Sequence, residues 1–203
     1  MISTALSEIQ TREGNLLKLF IALLKQDRAN VISETEPWGT LLATEAKRNE
    51  TRTWPARLSY NGPTYRGPIA IHLSKRMDDA ICDLEPFSSA LLAAGYQSST
   101  EHPQGNSWGL PLGHIIGIGW LESVWQINDH TTHRLPDQNS TEYAFGNYQP
   151  GRFVWTFSCA YRLSQPIPIE RGAPYIWKWA PPDHFWNEIQ GQANQVRLQI
   201  SNK

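Results

Sequence analysis

The sequence predicts an α+β protein, a small β-barrel with flanking helices, and three observations carry that expectation. From Asn30 onward short apolar runs alternate with Gly, Pro and Asn punctuation, the pattern of many short strands joined by turns. Helical and strand-like segments interleave irregularly, and no strand-helix-strand unit carries a glycine-rich phosphate loop, which disfavours a doubly wound nucleotide fold. A single stretch near the N-terminus has a clean helical period. With 203 residues, 40% of them hydrophobic and 18% charged, the chain can bury one full core and is neither disordered nor fibrous.

Taken in order, residues 16–26 place Leu16, Leu17, Phe20, Leu23 and Leu24 on one helical face, with Lys18, Lys25 and Gln26 largely opposite. This amphipathic extension, residues 1–29, is expected to pack on the domain that follows; the alternative is that it docks a protein partner. Val31 and Ile32 read as a short strand, and Trp38 to Ala46 as a helix with Pro37 at its first turn, where a missing N–H costs nothing. Pro68 to Leu73 reads as a strand, and Arg76 to Ala94 as one or two helices broken near Pro86 and ended by Gly95. His114 to Leu121, continued by Ser123 to Ile127, is strand-like, and Asp129 to Thr141 is a polar loop. From Arg152 to Leu163 the residues Phe153, Trp155, Phe157 and Cys159 alternate with Val154, Thr156 and Ser158, the period of a strand. Tyr175 to Trp179 closes the main domain, residues 30–182. A polar C-terminal tail, residues 183–203, follows, and the part after Glu188 is expected to fray.

Net charge is −1, so the chain as a whole is no polycation, yet the charge is unevenly placed. From Thr44 to Met77 seven basic residues (Lys47, Arg48, Arg52, Arg57, Arg66, Lys75, Arg76) face two acidic ones (Glu45, Glu50), a net of +5. Elsewhere 11 basic residues meet 17 acidic ones, a net of −6. The basic third also carries Trp54, Tyr60 and Tyr65, and cations interleaved with rings can hold phosphates while stacking unpaired bases. Cys82 and Cys159 fit no metal or redox spacing and read as core thiols of a cytoplasmic protein. The longest apolar run, Leu16 to Leu24, is too short to span a bilayer, so no membrane association is expected.

Several fragments resemble the ASCH family, a branch of the PUA-like superfamily. Glu36-Pro37-Trp38 with Leu41-Leu42 is similar to the family's Gln-Pro-Trp opening, with Glu in first place. Lys47 to Trp54 (KRNETRTW) is similar to its Lys-x-x-Glu-x-Arg-x-Trp signature, and Tyr65 to Lys75 to its Tyr-Arg-Gly strand ending in His-x-Ser-Lys. Pro111-Leu112-Gly113, Phe145-Gly146-Asn147-Tyr148, Pro150-Gly151-Arg152-Phe153 and Pro166-Ile167-Pro168 follow in the family's order. Over about residues 31–180 the resemblance implies a PUA-like barrel whose cleft receives RNA or a modified nucleoside. Members of the family have been assigned RNA binding, ribonuclease activity, amide hydrolysis on N4-acetylcytidine and transcriptional coactivation, so the site must decide.

The expected reactive set is Lys47, Glu50 and Ser74. Lys47 and Glu50 stand three apart at a helix end, close enough for an ammonium and a carboxylate to meet and exchange protons. In the family's amidohydrolase branch a Lys-x-x-Thr motif supplies a threonine nucleophile, and Glu50 occupies that place here. Ser74 has His72 two residues away on the same strand face as its base. The expected nucleic-acid contacts are Arg52, Trp54, Tyr65, Arg66, Lys75, Tyr148 and Arg152: forked cations for phosphates or base edges, rings for stacking. His130 and His133 with Asp129 and Asp137 form a weak HxxH cluster, read as an exposed loop and not a metal site. No cofactor is called for, although a nuclease would bring a divalent metal. The leading expectation is an RNA-binding protein for single-stranded or modified nucleotides; the alternative is a ribonuclease or a hydrolase of modified nucleosides.

Overall fold

The helical period near the N-terminus extends further than its apolar stripe: α1 runs Ile2–Leu24 and buries Leu16, Leu19, Phe20 and Leu23 against a sheet. A computed structural model describes the backbone of residues 2–202 and the side chains of residues 11–202. After α1 come β1 (Ala29–Glu36), α2 (Trp38–Ala43), β2 (Asn49–Arg52) and β3 (Gly67–Met77). Two short helices follow, α3 (Asp79–Cys82) and α4 (Phe87–Ala93), then β4 (His114–Gln126), α5 (Thr141–Ala144), β5 (Phe153–Pro168), β6 (Trp177–Trp179) and α6 (Asp183–Ser201). Among the described residues no helix is long and apolar enough to cross a membrane.

The six strands form one sheet in the order β2-β5-β4-β3-β1-β6. β1 and β3 run parallel, with Ser33 opposite His72, and every other pair is antiparallel. Alternation along the strands sends residues to two separate cores. On the outer face Val31, Ala70, Ile118 and Leu163 meet α1 and α6. On the inner face Ile32, Ile69, Ile71, Leu73, Trp155 and Phe157 close over Leu42 and Ala43 of α2. Register shifts along β4 and β5 mark bulges that bend both strands.

Two expectations need correction. The sheet is not closed into a barrel: its outermost strands are β2 and β6, and no backbone ladder joins them. It curls far enough that Arg52 of β2 donates to the carbonyl of Ser33 in β1 at 3.0 Å, although three strands separate β2 from β1 in the sheet order. A side chain spans the remaining gap because β2 has four residues and β6 pairs only with Ala29–Val31, leaving the second half of β1 without a strand on that side. The segment after Glu188 is not a frayed tail. Phe185, Ile189, Ala193 and Val196 recur every three or four residues, and α6 buries all four against α1.

Ile189→Ala removes side-chain volume at a fully buried position, so a loss of about 2–5 kcal/mol of unfolding free energy is expected in urea titration. A loss below about 0.5 kcal/mol, the usual range for surface substitutions, would mean that α6 is not part of the core.

Candidate functional site

The seam between β2 and β1 is where the ionisable residues gather. Period-two alternation puts Glu34 and Glu36 on the face of Ile32, beneath α2. A Cβ on Gly39 would run into Leu73 and lie 2.9 Å from Glu34, so glycine lets α2 sit directly on these strands. Glu36 is fully buried; its carboxylate accepts from Thr40 Oγ1 at 2.6 Å and from the Thr40 backbone N–H at 3.1 Å. Burial lifts its carboxyl to about 7 despite those donors.

Glu34 begins a chain of alternating charge. Its Oε2 pairs with Arg52, the Nε of Arg52 lies 3.0 Å from Glu50 Oε1, and Glu50 Oε2 accepts from Lys47 Nζ at 2.6 Å. Lys47 is 1% exposed, Glu34 2% and Glu50 7%, which makes this a buried network and not a surface pair. Burial raises the Glu34 carboxyl to about 7, against the opposition of Arg52. Burial pushes the same way at Glu50, but Lys47 and Arg52 together outweigh it and hold that carboxyl below its ordinary value. The two glutamates flanking Arg52 therefore differ in proton affinity. Glu34 Oε1 is buried without a hydrogen-bond partner among the described residues.

This chain forms one wall of a cavity of about 560 Å³. Trp38, Trp54, Phe87 and Phe145 supply its apolar surfaces; Glu34, Lys47, Glu50, Arg52 and Arg152 supply its polar ones. Lys47 sits in the turn after α2 and Glu50 in β2, so their contact arises from a turn entering a strand rather than from a helix end. The carboxylate of Glu142, in α5, fixes that turn by accepting from the backbone N–H groups of Arg48 and Asn49, both at 2.8 Å. Arg152 donates to the Thr51 carbonyl at 2.9 Å, and the Asn147 N–H donates to Thr51 Oγ1 at 3.0 Å, binding the Phe145–Tyr148 loop to β2.

A second cavity, about 490 Å³, shares Thr35 and Arg52 with the first. Ser74, Lys75, Arg76 and Arg171 border it, together with Ser33 and His72. The parallel register brings Ser33 Oγ within 3.0 Å of His72 Nδ1, while Ser74 Oγ accepts from the Arg76 N–H at 3.3 Å. The hydroxyl beside the imidazole is thus Ser33, not Ser74. Trp177 Nε1 also donates to Ser33 Oγ, at 3.2 Å, and burial pushes the imidazole down to about 4, so it is neutral at pH 7.

The structure brings together Lys47, Glu50, Arg52, Trp54 and Arg152 at the first cavity and Ser74 and Lys75 at the second. Three expected contacts lie elsewhere. Arg66 is exposed and borders neither cavity, Tyr65 donates its hydroxyl to the Pro68 carbonyl at 2.7 Å, and Tyr148 is buried with its ring stacked on Tyr143. Trp54 both packs edge-on against Trp155, at 4.7 Å, and faces the cavity. The polar loop carrying His130 and His133 is exposed, and among the described residues no group of three or more His, Cys, Asp or Glu is arranged to hold a metal. Glu34 and Ser33 were not singled out from sequence, and Trp38 and Asn147 entered only as members of motifs, not as site residues. For Glu34 the usable signal was its alternation with Ile32 and Glu36.

No family model matches the sequence, and no curated protein matches it. Among solved structures the chain is similar to the crystal structure of ASCH from Zymomonas mobilis, with a TM-score of 0.41 and 13% identity, covering 82% of this chain and 96% of that one. It is also similar to a serine-to-alanine mutant of the ASCH protein from the same organism, with a TM-score of 0.42 and 12% identity over 86% of this chain and 96% of that one.

Glu36 holds a proton in the folded state that the unfolded chain releases at its ordinary value of 4.5, so this group lowers stability as pH rises from about 4.5 to about 7. Glu34 acts with the same sign, and His72, moved from 6.5 to about 4, with the opposite one. Glu36→Gln is expected to make the fall in urea midpoint between pH 5 and pH 7 shallower than in the parent protein. Equal slopes in the two proteins would show that Glu36 does not titrate in this window.

Proposed function

We propose that the protein binds RNA and receives one unpaired or modified nucleotide in the cavity beside Arg52. The observation that carries this reading is the Glu34–Arg52–Glu50–Lys47 chain forming the wall of an aromatic-lined cavity. Trp38 and Trp54 offer π-faces to a base, and the free Oε1 of Glu34 offers a hydrogen-bonding atom to its edge. Lys75, Arg76 and Arg171 at the neighbouring cavity suit the phosphates on either side.

Trp54→Ala is expected to weaken retention of a labelled single-stranded RNA about tenfold, the scale of one lost stacking contact. Lys75→Ala and Arg76→Ala are each expected to reduce the slope of log affinity against log salt by about 0.7. Retention that Trp54→Ala and Glu34→Gln both leave unchanged would rule out this cavity as the RNA site.

A second reading, hydrolysis of RNA or of a modified base such as N4-acetylcytidine, is favoured by the buried Lys47–Glu50 contact and by a Glu34 carboxyl poised near pH 7. Glu50, tied to Lys47 and Arg52, supplies no hydroxyl nucleophile. Hydrolysis would therefore proceed by water, with Glu34 taking its proton and Lys47 facing the charge that develops on the attacked group. Incubation of single-stranded RNA and of N4-acetylcytidine, with and without Mg²⁺ or Mn²⁺, is expected to give products that Lys47→Ala abolishes. Product formation unchanged in that variant would exclude the reading.

A further inference from the structure

We infer that the surface groove beside the first cavity is a stacking platform for the unpaired bases that flank the bound nucleotide, an assignment that rests on the RNA reading above. The groove, about 610 Å³, lies between Trp54, Pro55, Arg57, Leu58, Tyr60 and Tyr175. Trp54 borders both spaces, which places the groove next to the cavity.

The groove presents its rings to solvent. Tyr60 is 92% exposed, Tyr175 63% and Leu58 50%. Tyr60 sits in a loop held by an isolated bridge between Arg57 and Thr64, and Arg57 donates to the Tyr60 carbonyl at 3.3 Å. Tyr175 has φ +61, the left-handed region that a bulky side chain rarely occupies, and its ring stands edge-on to Trp54 at 5.1 Å. Residues held in sparsely populated backbone regions cluster at binding and switch sites.

Charge selects the occupant. Among the described residues no carboxylate borders the groove and one arginine does, and the sequence has no Asp or Glu from Thr51 to Met77. Rings with a cation and without a competing acid suit the faces and phosphates of single-stranded nucleic acid. Adjacency, through Trp54, to a cavity that borders Arg52 and Arg152 points the same way.

The experiment compares oligoribonucleotides of one, three, six and nine residues by tryptophan quenching and fluorescence anisotropy. The parent protein is set beside Tyr60→Ala and Tyr175→Gly; glycine keeps the left-handed backbone while deleting the ring. In the parent protein affinity is expected to rise with length. Each variant is expected to lose about tenfold on the longer oligomers and nothing on the mononucleotide. Length dependence identical in all three proteins overturns the platform and leaves the cavity reading standing. Absence of RNA binding at every length overturns both. A polyproline peptide that binds through these tyrosines while RNA is inert overturns the assignment in favour of a protein ligand.

Discussion

Arg52 stands where two parts of one sheet approach without pairing, and much of the molecule is arranged around its charge. Its guanidinium bonds to the Ser33 carbonyl, pairs with Glu34 and lies against Glu50, doing with side-chain donors what a seventh strand would do with backbone. The four ions withdrawn from water in this way, Glu34, Arg52, Glu50 and Lys47, are stable only as a set, because each carboxylate is compensated by a cation within hydrogen-bond reach. Removing the arginine would leave Glu34 and Glu50 facing each other in a dry seam. Its own proton affinity is raised by those two carboxylates, so it stays charged across any accessible pH.

The same arginine borders both cavities. An anion taken into the second one would compete with Glu34 for the guanidinium and raise the proton affinity of that carboxyl further. By reciprocity, deprotonating Glu34 would weaken the hold on that anion. The neighbouring elements keep this arrangement fixed: Gly39 seats α2 on Glu34, Glu142 clamps the turn between Lys47 and β2, and Thr51 anchors both Arg152 and the Asn147 loop.

What was legible in the sequence is what depends on local period. The stripe of α1, the alternation of β5 and the basic segment from Thr44 to Met77 are all visible in one dimension. Closure of the barrel was not, because strand count says nothing about whether two edges meet or leave a gap for an arginine to fill. Glu34 escaped notice since a carboxylate in a strand reads as a solvent-facing position until its counter-ion is known to lie 18 residues away. Ser33 escaped because its partnership with His72 exists only through a parallel register across 39 residues. The apolar stripe of α6 was masked by the Gln and Asn residues around it.

The outer core ties together segments that lie far apart in the chain. Leu16, Leu19, Phe20 and Leu23 of α1 are covered in part by Phe185, Ile189, Ala193 and Val196 of α6, with every strand of the sheet between the two helices in sequence. The inner core around Trp155 draws on residues 32 to 157 and closes over a shorter span. Long-range closure of this kind is the slow, aggregation-exposed step of a fold. Until α6 docks, part of the leucine stripe of α1 stays open to water.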